Sequence, residues 1–255
     1  MPARDLDLLT QAALQAGDIA RRYWRADPKV WEKGKDGPVS EADFEVDAFL
    51  RQTLRAERPA YGWLSEETED SRSNRADTMF VVDPIDGTRA FIAGESTWAH
   101  SIAVVQGGKP VAGVIYLPIH EKLYAGALGH GATLNGTRIA ASERTDLEGA
   151  SFLANKAAFE PGHWRGPSPE VVRAFRPSLA YRMALVAEGR FDGMLTLRPT
   201  WEWDIAAGAI IATEAGARVS DRSGHDLRFN NADPRTDGML AAGAVLFPEI
   251  VRRLA

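Results

Sequence analysis

The stretch Val81–Phe91, VVDPIDGTRAF, constrains this chain more than any other. The apolar run Met79–Val82 reads as a short buried strand. It ends on two carboxylates three positions apart, Asp83 and Asp86, with Gly87-Thr88 straight after. Pro84 fixes its own φ and restricts Asp83, so the spacing is pre-set. A D-x-x-D pair on a turn can put both carboxylates on one side, where they repel unless a cation lies between them. Mg²⁺, Ca²⁺ or an arginine would serve; Mg²⁺ takes hard oxygen ligands and keeps several waters. Ile85 has no ligating side chain, but its carbonyl can be a ligand. Gly87-Thr88 reads as a helix start, where free N–H groups and a glycine suit an approaching phosphate. Thr88 can also hydrogen-bond a water. Cation ligands beside an anion cradle point to a metal-bridged phosphate. A water held by the metal and a nearby Glu/Thr pair would be the nucleophile, its pKa lowered by coordination.

Two other segments share the design of a strand running out into acids: Glu66-Glu67 after YGWLS, and Asp204 after RPTWEW. Each has a plainer reading when taken alone. Asp83 and Asp86 can fill a turn and cap a helix, the acids from Glu66 to Asp70 can be a solvated loop, and Asp204 can be an ordinary N-cap. The joint occurrence of D-P-x-D-G-T and W-D-x-A-A-G is what favours chemistry. The five histidines show no metal spacing and read as structural.

The rest of the chain supplies a scaffold. Leu6, Leu9, Ala13, Ala16 and Ile19 recur at helical spacing, which predicts a helix over about 5–24. Gly34–Ser40 reads as a loop, and Ser40 with Asp43 as the capping start of a helix to about Arg58. A short strand is expected at Tyr61–Leu64. Successive strands follow from His100, with a hairpin turn at Gly107-Gly108. Residues 155–169 read as irregular. SLAYRMALVAEGR is a helix closed by Gly189, DGMLTL a strand, DIAAGAIIATEAG a helix ending at Gly216, and LAAGAVLFPEIVRRL a strand then a helix. This alternation predicts a layered α/β or α+β body in one domain over 1–255, divisible into lobes of about 1–145 and 146–255.

Composition narrows the function. A net charge of −5 argues against a nucleic-acid polymer as partner. With no cysteine there is no disulfide and no thiolate metal site. The N-terminal segment lacks a signal peptide's apolar core and no stretch is long enough to span a membrane, so a cytoplasmic protein without membrane partners is expected.

These residues resemble the inositol monophosphatase superfamily of Mg²⁺-dependent, lithium-sensitive phosphatases. The likeness runs through PVSEAD (Pro38–Asp43), SEE (Ser65–Glu67), DPIDGT (Asp83–Thr88), GKPVAGVIYLP (Gly108–Pro118), LNG (Leu134–Gly136), ALVAEG (Ala184–Gly189) and WDIAAG (Trp203–Gly208). The resemblance implies a layered αβαβα sandwich and two or three Mg²⁺ ions. It implies that Glu66 binds one metal and orients the water, that Asp83 bridges two metals, and that the Ile85 carbonyl completes a shell. Asp86 and Asp204 would hold the second metal beside the substrate. Thr88 would act with Glu66 on the water, the Gly87 and Thr88 amides would hold phosphate, and Asp43 would act in the outer shell or at a weaker third metal. A homodimer is compatible with it.

Substrate choice is read from departures. The inositol branch carries a glutamate on the strand before W-D, where this chain has Thr196 or Leu197. RPTWEWD is closer to the P-T-x-x-W-D of the 3'(2'),5'-bisphosphate nucleotidases. Pro177-Ser178 replaces the usual Gly-Ser, and the 153–177 region matches no known pattern. The expected activity is hydrolysis of a small phosphomonoester, with adenosine 3',5'-bisphosphate favoured. The alternatives are inositol 1-phosphate, then histidinol phosphate or a sugar phosphate. A catalytically dead ligand-binding homologue is the non-enzymatic alternative, and the full set of expected ligands argues against it.

Overall fold

The computed structural model describes residues 2–34, 37–68 and 76–255. Glu69 and Asp70 of the acidic segment, and Lys35 and Asp36 of the Gly34–Ser40 segment, lie outside them. Five layers are stacked. Helices α1 (Pro2–Tyr23) and α2 (Glu41–Glu57) form the outermost one, joined through a small antiparallel hairpin, β1 (Val30–Glu32) and β2 (Pro38–Ser40). This hairpin corrects the expected loop at Gly34–Ser40: Pro38–Ser40 pair with Val30–Glu32 and form a strand.

The second layer is a seven-stranded sheet in chain order: β3 (Gly62–Ser65), β4 (Thr78–Asp86), β5 (Ala99–Gln106), β6 (Lys109–Leu117), β7 (Lys122–Ala127), β8 (Gly131–Leu134) and β9 (Thr137–Arg138). Only β3 and β4 run parallel; the remaining pairs are antiparallel. Both faces are covered, which is why β4 and β5 read as continuous apolar runs. Phe80, Val82, Ile102 and Val104 face α1 and α2, while Met79, Val81, Ala103 and Val105 face the other way. That split is the two-residue period of a strand.

Short α3 (Thr88–Ile92) follows β4. The fourth layer is a five-stranded sheet of β10 (Ser151–Leu153), β11 (Val172–Ala174), β12 (Gly193–Thr196), β14 (Ala217–Ser220) and β16 (Met239–Gly243), in the order β11-β10-β12-β16-β14. Strands β13 (Thr200–Trp201) and β15 (Arg235–Thr236) form a separate pair. Between the sheets lie α4 (Leu179–Ala187) and α5 (Glu202–Glu214), apolar nearly all round as a central layer requires. Gly208 lets them close up: a Cβ there would sit 2.5 Å from the Met183 sulfur and 2.6 Å from its Cβ. Helix α6 (Phe247–Arg253) packs Phe247 and Ile250 beyond the second sheet. The 155–169 segment holds two 3₁₀ turns, Lys156–Phe159 and Pro161–His163. No helix among the described residues is long and apolar enough to cross a membrane.

Candidate metal centre and active site

Strand β4 carries the site out of the core. Its ladder with β5 is regular to Asp83, opposite Ser101, and resumes at Asp86, opposite Ala99. Three steps on β4 match two on β5, so Pro84 and Ile85 bulge. The strand therefore includes the D-x-x-D pair, where a turn was expected. Gly87 follows at φ +99, a left-handed conformation that an L side chain rarely adopts, and starts α3.

Asp204 arrives from the other half of the chain. It is neither at a strand end nor the expected N-cap. The cap is Trp201, the helix starts at Glu202, and Asp204 sits in its first turn, where the helix dipole favours a carboxylate. Oxygens of Asp83, Asp86 and Asp204 lie within 4.8 Å of one another. A cavity of about 570 Å³ is lined by these three with Glu66, Gly87, Thr88, Arg89, Arg198 and Trp201, among others. The fully buried Ile85 side chain and Asp43 do not line it. Both connect to it through Thr88, whose hydroxyl is 3.1 Å from the Ile85 carbonyl and 3.2 Å from Asp43 Oδ1. Asp43 Oδ2 accepts from the Ser40 amide and hydroxyl at 2.8 and 2.6 Å.

The electrostatics favour a cation among these carboxylates. Burial, then Glu66, Asp86, Asp204 and Asp43, pushes Asp83 well above the usual carboxylate range. Burial and then Asp86 and Glu66 do the same to Asp204. Burial raises Asp86 to about 6, against hydrogen bonds from the Ser178 hydroxyl at 2.7 Å and the Ala180 amide at 2.6 Å. It raises Asp43 to about 6 against the Ser40 bonds. Asp83 Oδ1 is buried with no hydrogen-bond partner among the described residues. Buried polar atoms are almost always partnered, so this oxygen is where the donor set fits a bound cation. Hard carboxylate and carbonyl oxygens suit Mg²⁺, Ca²⁺ or Mn²⁺.

Lys33, Glu67 and Ser178 join the site in roles that the sequence alone does not assign. Lys33, on the β1–β2 connection, places its ammonium 3.0 Å from Glu66 and 2.7 Å from Glu67. Burial opposes its charge, but the two glutamates raise it to about 12. Burial and then Glu66 lift Glu67 to about 7. One of three lysines between 29 and 35, Lys33 carries no sequence signal of this role. Ser178, buried at the start of α4, anchors Asp86 and also caps the helix through the Tyr181 amide. The expected substrate-side positions Thr196 and Leu197 do not line the cavity. Thr196 is 4% exposed and paired with Met239. Trp201 stacks on Trp203 at 4.7 Å and carries the Arg235 guanidinium over its ring.

Comparison with known proteins agrees with this geometry. A family profile described as "Inositol monophosphatase family" matches residues 3–254. The chain is 35% identical over 241 residues to an inositol-1-monophosphatase of Mesorhizobium japonicum, covering 89% of this chain and 88% of that one. It is 33% identical over 264 residues to a histidinol-phosphatase of Mycobacterium tuberculosis, covering 98% and 97%. The crystal structure of the extragenic suppressor protein suhB from Bartonella henselae superposes with a TM-score of 0.82 at 31% identity, over 98% and 97% of the two chains. The chain thus belongs to the inositol monophosphatase family, a family of metal-dependent phosphoric monoester hydrolases.

Proposed function

We propose that this chain is a metal-dependent phosphomonoesterase whose preferred substrate carries a second anionic group, with adenosine 3',5'-bisphosphate as the test case. The hydrolase reading rests on the partnerless Asp83 oxygen among three converging carboxylates. Glu66, Asp83, Asp86, Asp204 and the Ile85 carbonyl would hold the ions, two or three Mg²⁺. Bound there, they supply charge neutralisation and lower the pKa of a water. The chain's own groups do the rest. The Gly87 and Thr88 amides would hold phosphate oxygens, since the first N–H groups of a helix have no intrahelical partner. The Thr88 hydroxyl can donate to Asp43 and still accept from a water. With Asp43 raised to about 6, the pair is suited to drawing a proton from that water. In this reading residues 1–145 supply most of the ion ligands and 146–255 most of the substrate side.

The substrate reading rests on charge. Among the described residues, every carboxylate lining the cavity belongs to the ion cluster, and none is left over to accept from ring hydroxyls. The wall instead carries Arg89 and Arg198; Arg198 is close enough to offset part of the charge on Asp204. A neighbouring cavity of about 680 Å³ shares Phe175 and Pro177 with the first and is lined by Lys122, Arg176 and Arg190 together with Glu95, and Lys122 and Arg190 lie 3.8 and 3.9 Å from Glu188. A second phosphate would be attracted by the charge of Arg89, Arg198 and Arg176. The ammonium of histidinol phosphate would be repelled, and inositol's hydroxyls would gain little from it. Phosphate release from the three substrates in one Mg²⁺ buffer tests the reading. The bisphosphate is expected to show the highest kcat/KM, and Arg198→Ala to lower it for that substrate by roughly tenfold, the loss of one charge-assisted contact. More efficient hydrolysis of inositol 1-phosphate would overturn the substrate assignment. Hydrolysis of none of the three would count against the hydrolase reading itself.

A further inference from the structure

The β4 bulge leaves a polar group that the β ladder cannot satisfy. Pro84 lies between Asp83 and Asp86, where the pairing with β5 skips a residue. Opposite the gap, on β5, stands His100, wholly buried. Its ring Nδ1 meets the Pro84 carbonyl. A carbonyl can only accept, so Nδ1 carries the proton and Nε2 is the bare nitrogen. Nε2 has no partner. Burial pushes the ring's pKa down to about 4, so it stays neutral and keeps this tautomer across the physiological range. Trp98 and Tyr116 pack against the ring and fix its plane. The next residue, Ser101, donates to the Trp203 carbonyl at 2.8 Å, one position before Asp204. Two successive β5 residues thus hold the backbone beside both acidic segments.

We propose that His100 is a positioning residue for the ion cluster: its Nδ1–H, by holding the Pro84 carbonyl, sets the spacing of the Asp83 and Asp86 carboxylates and the aim of the Ile85 carbonyl. The proposal rests on the ion-binding part of the function proposed above. It predicts an effect on binding of the bare ion as well as on turnover. Asparagine places an N–H donor at the same branch position as Nδ1, whereas leucine has nearly the same size and no donor. Both substitutions vacate the same ring volume, so packing loss is common to the two.

Titration calorimetry of the metal-free protein with Mg²⁺ alone reads the difference. His100→Asn should bind within about threefold of the parent, and His100→Leu about tenfold or more weakly, the size expected when a buried carbonyl loses its donor. KM for the metal in turnover should move in the same order. Equal Mg²⁺ affinities for the two variants would overturn the positioning role, even if both melt earlier than the parent. Should the leucine variant fail to fold, the parent protein still decides. Nitrogen-15 spectra of His100 should show the Nδ1-protonated tautomer and shift on adding Mg²⁺. The opposite tautomer, or a resonance indifferent to Mg²⁺, would overturn the proposal. No Mg²⁺ binding by the parent would sink the ion-binding reading, and this inference with it.

Discussion

Replacing Asp86 by asparagine should make the metal-free protein more stable. Asp86 is 7% exposed, and burial raises its pKa from 3.8 to about 6. A raised carboxyl binds its proton more tightly in the folded chain than in the unfolded one. Its cost to folding is absent below the unfolded value, grows between 3.8 and about 6, and is complete above that. At pH 8 the rise corresponds to about 3 kcal/mol, and at pH 5 to about half of it. An asparagine can keep its carbonyl oxygen on the Ser178 hydroxyl and the Ala180 amide while turning its NH₂ to the remaining carboxylates. In EDTA at pH 8, Asp86→Asn should therefore melt roughly 6–12 °C higher, at about 2–4 °C per kcal/mol for a chain of this size. The gap should narrow at pH 5. It should also narrow in Mg²⁺, because an ion at a hundred times its Kd stabilises the parent by about 2.7 kcal/mol, and the variant, short of a ligand, by less. Differential scanning calorimetry in the three buffers measures each term. A variant no more stable than the parent in EDTA at pH 8 would show that the cluster carries no such cost.

Three further outcomes are expected. Asp83→Asn keeps the shape but removes the charge central to the cluster; the purified variant should fold and lose more than about 100-fold in turnover at saturating Mg²⁺, the scale of losing one preorganised electrostatic group. Thr88→Val should lower kcat by about 100-fold or more while Thr88→Ser retains most of it, since only the hydroxyl can pass a proton toward Asp43; equal rates for the two variants would remove Thr88 from proton transfer. Gly208→Ala pushes a methyl onto Met183, and urea titration should show a loss of about 1–3 kcal/mol with activity per folded molecule retained.

Much of the scaffold was readable because its signals are local. The apolar run at the start of β4, the helical spacing of α1, the Ser40–Asp43 capping box and the Gly107-Gly108 hairpin all appear where the sequence placed them. The errors fall where tertiary pairing overrides local preference. Pro38–Ser40 became a strand because Val30–Glu32 lie beside it. Asp86 stayed in β4 because β5 accommodates a bulge there. Asp204 lost the cap position because the short β13–β15 pairing ends at Trp201, and the helix begins immediately after. The roles of Lys33 and His100 were not readable, since one depends on a long-range contact with Glu66 and Glu67 and the other on a ladder irregularity.

The acids cannot meet until distant parts of the chain have packed. Asp83 and Asp86 belong to the seven-stranded sheet, Asp204 to a central helix 118 positions beyond Asp86, and the Ser178 anchor to the helix beside it. What joins them is close approach across the layers. A Cβ at Gly113 in β6 would lie 2.9 Å from the Ala207 backbone in α5, and Ser101 in β5 bonds the carbonyl before Asp204. Small residues in WDIAAG and GKPVAGV therefore have a purpose beyond helix or strand propensity: they let α5 press onto the sheet until Asp204 reaches its partners. The apolar contacts across these layers must outweigh the repulsion among the carboxylates they bring together. A cation that relieves the repulsion then binds the folded state in preference to the unfolded one, so ion affinity and fold stability are linked through the same three side chains.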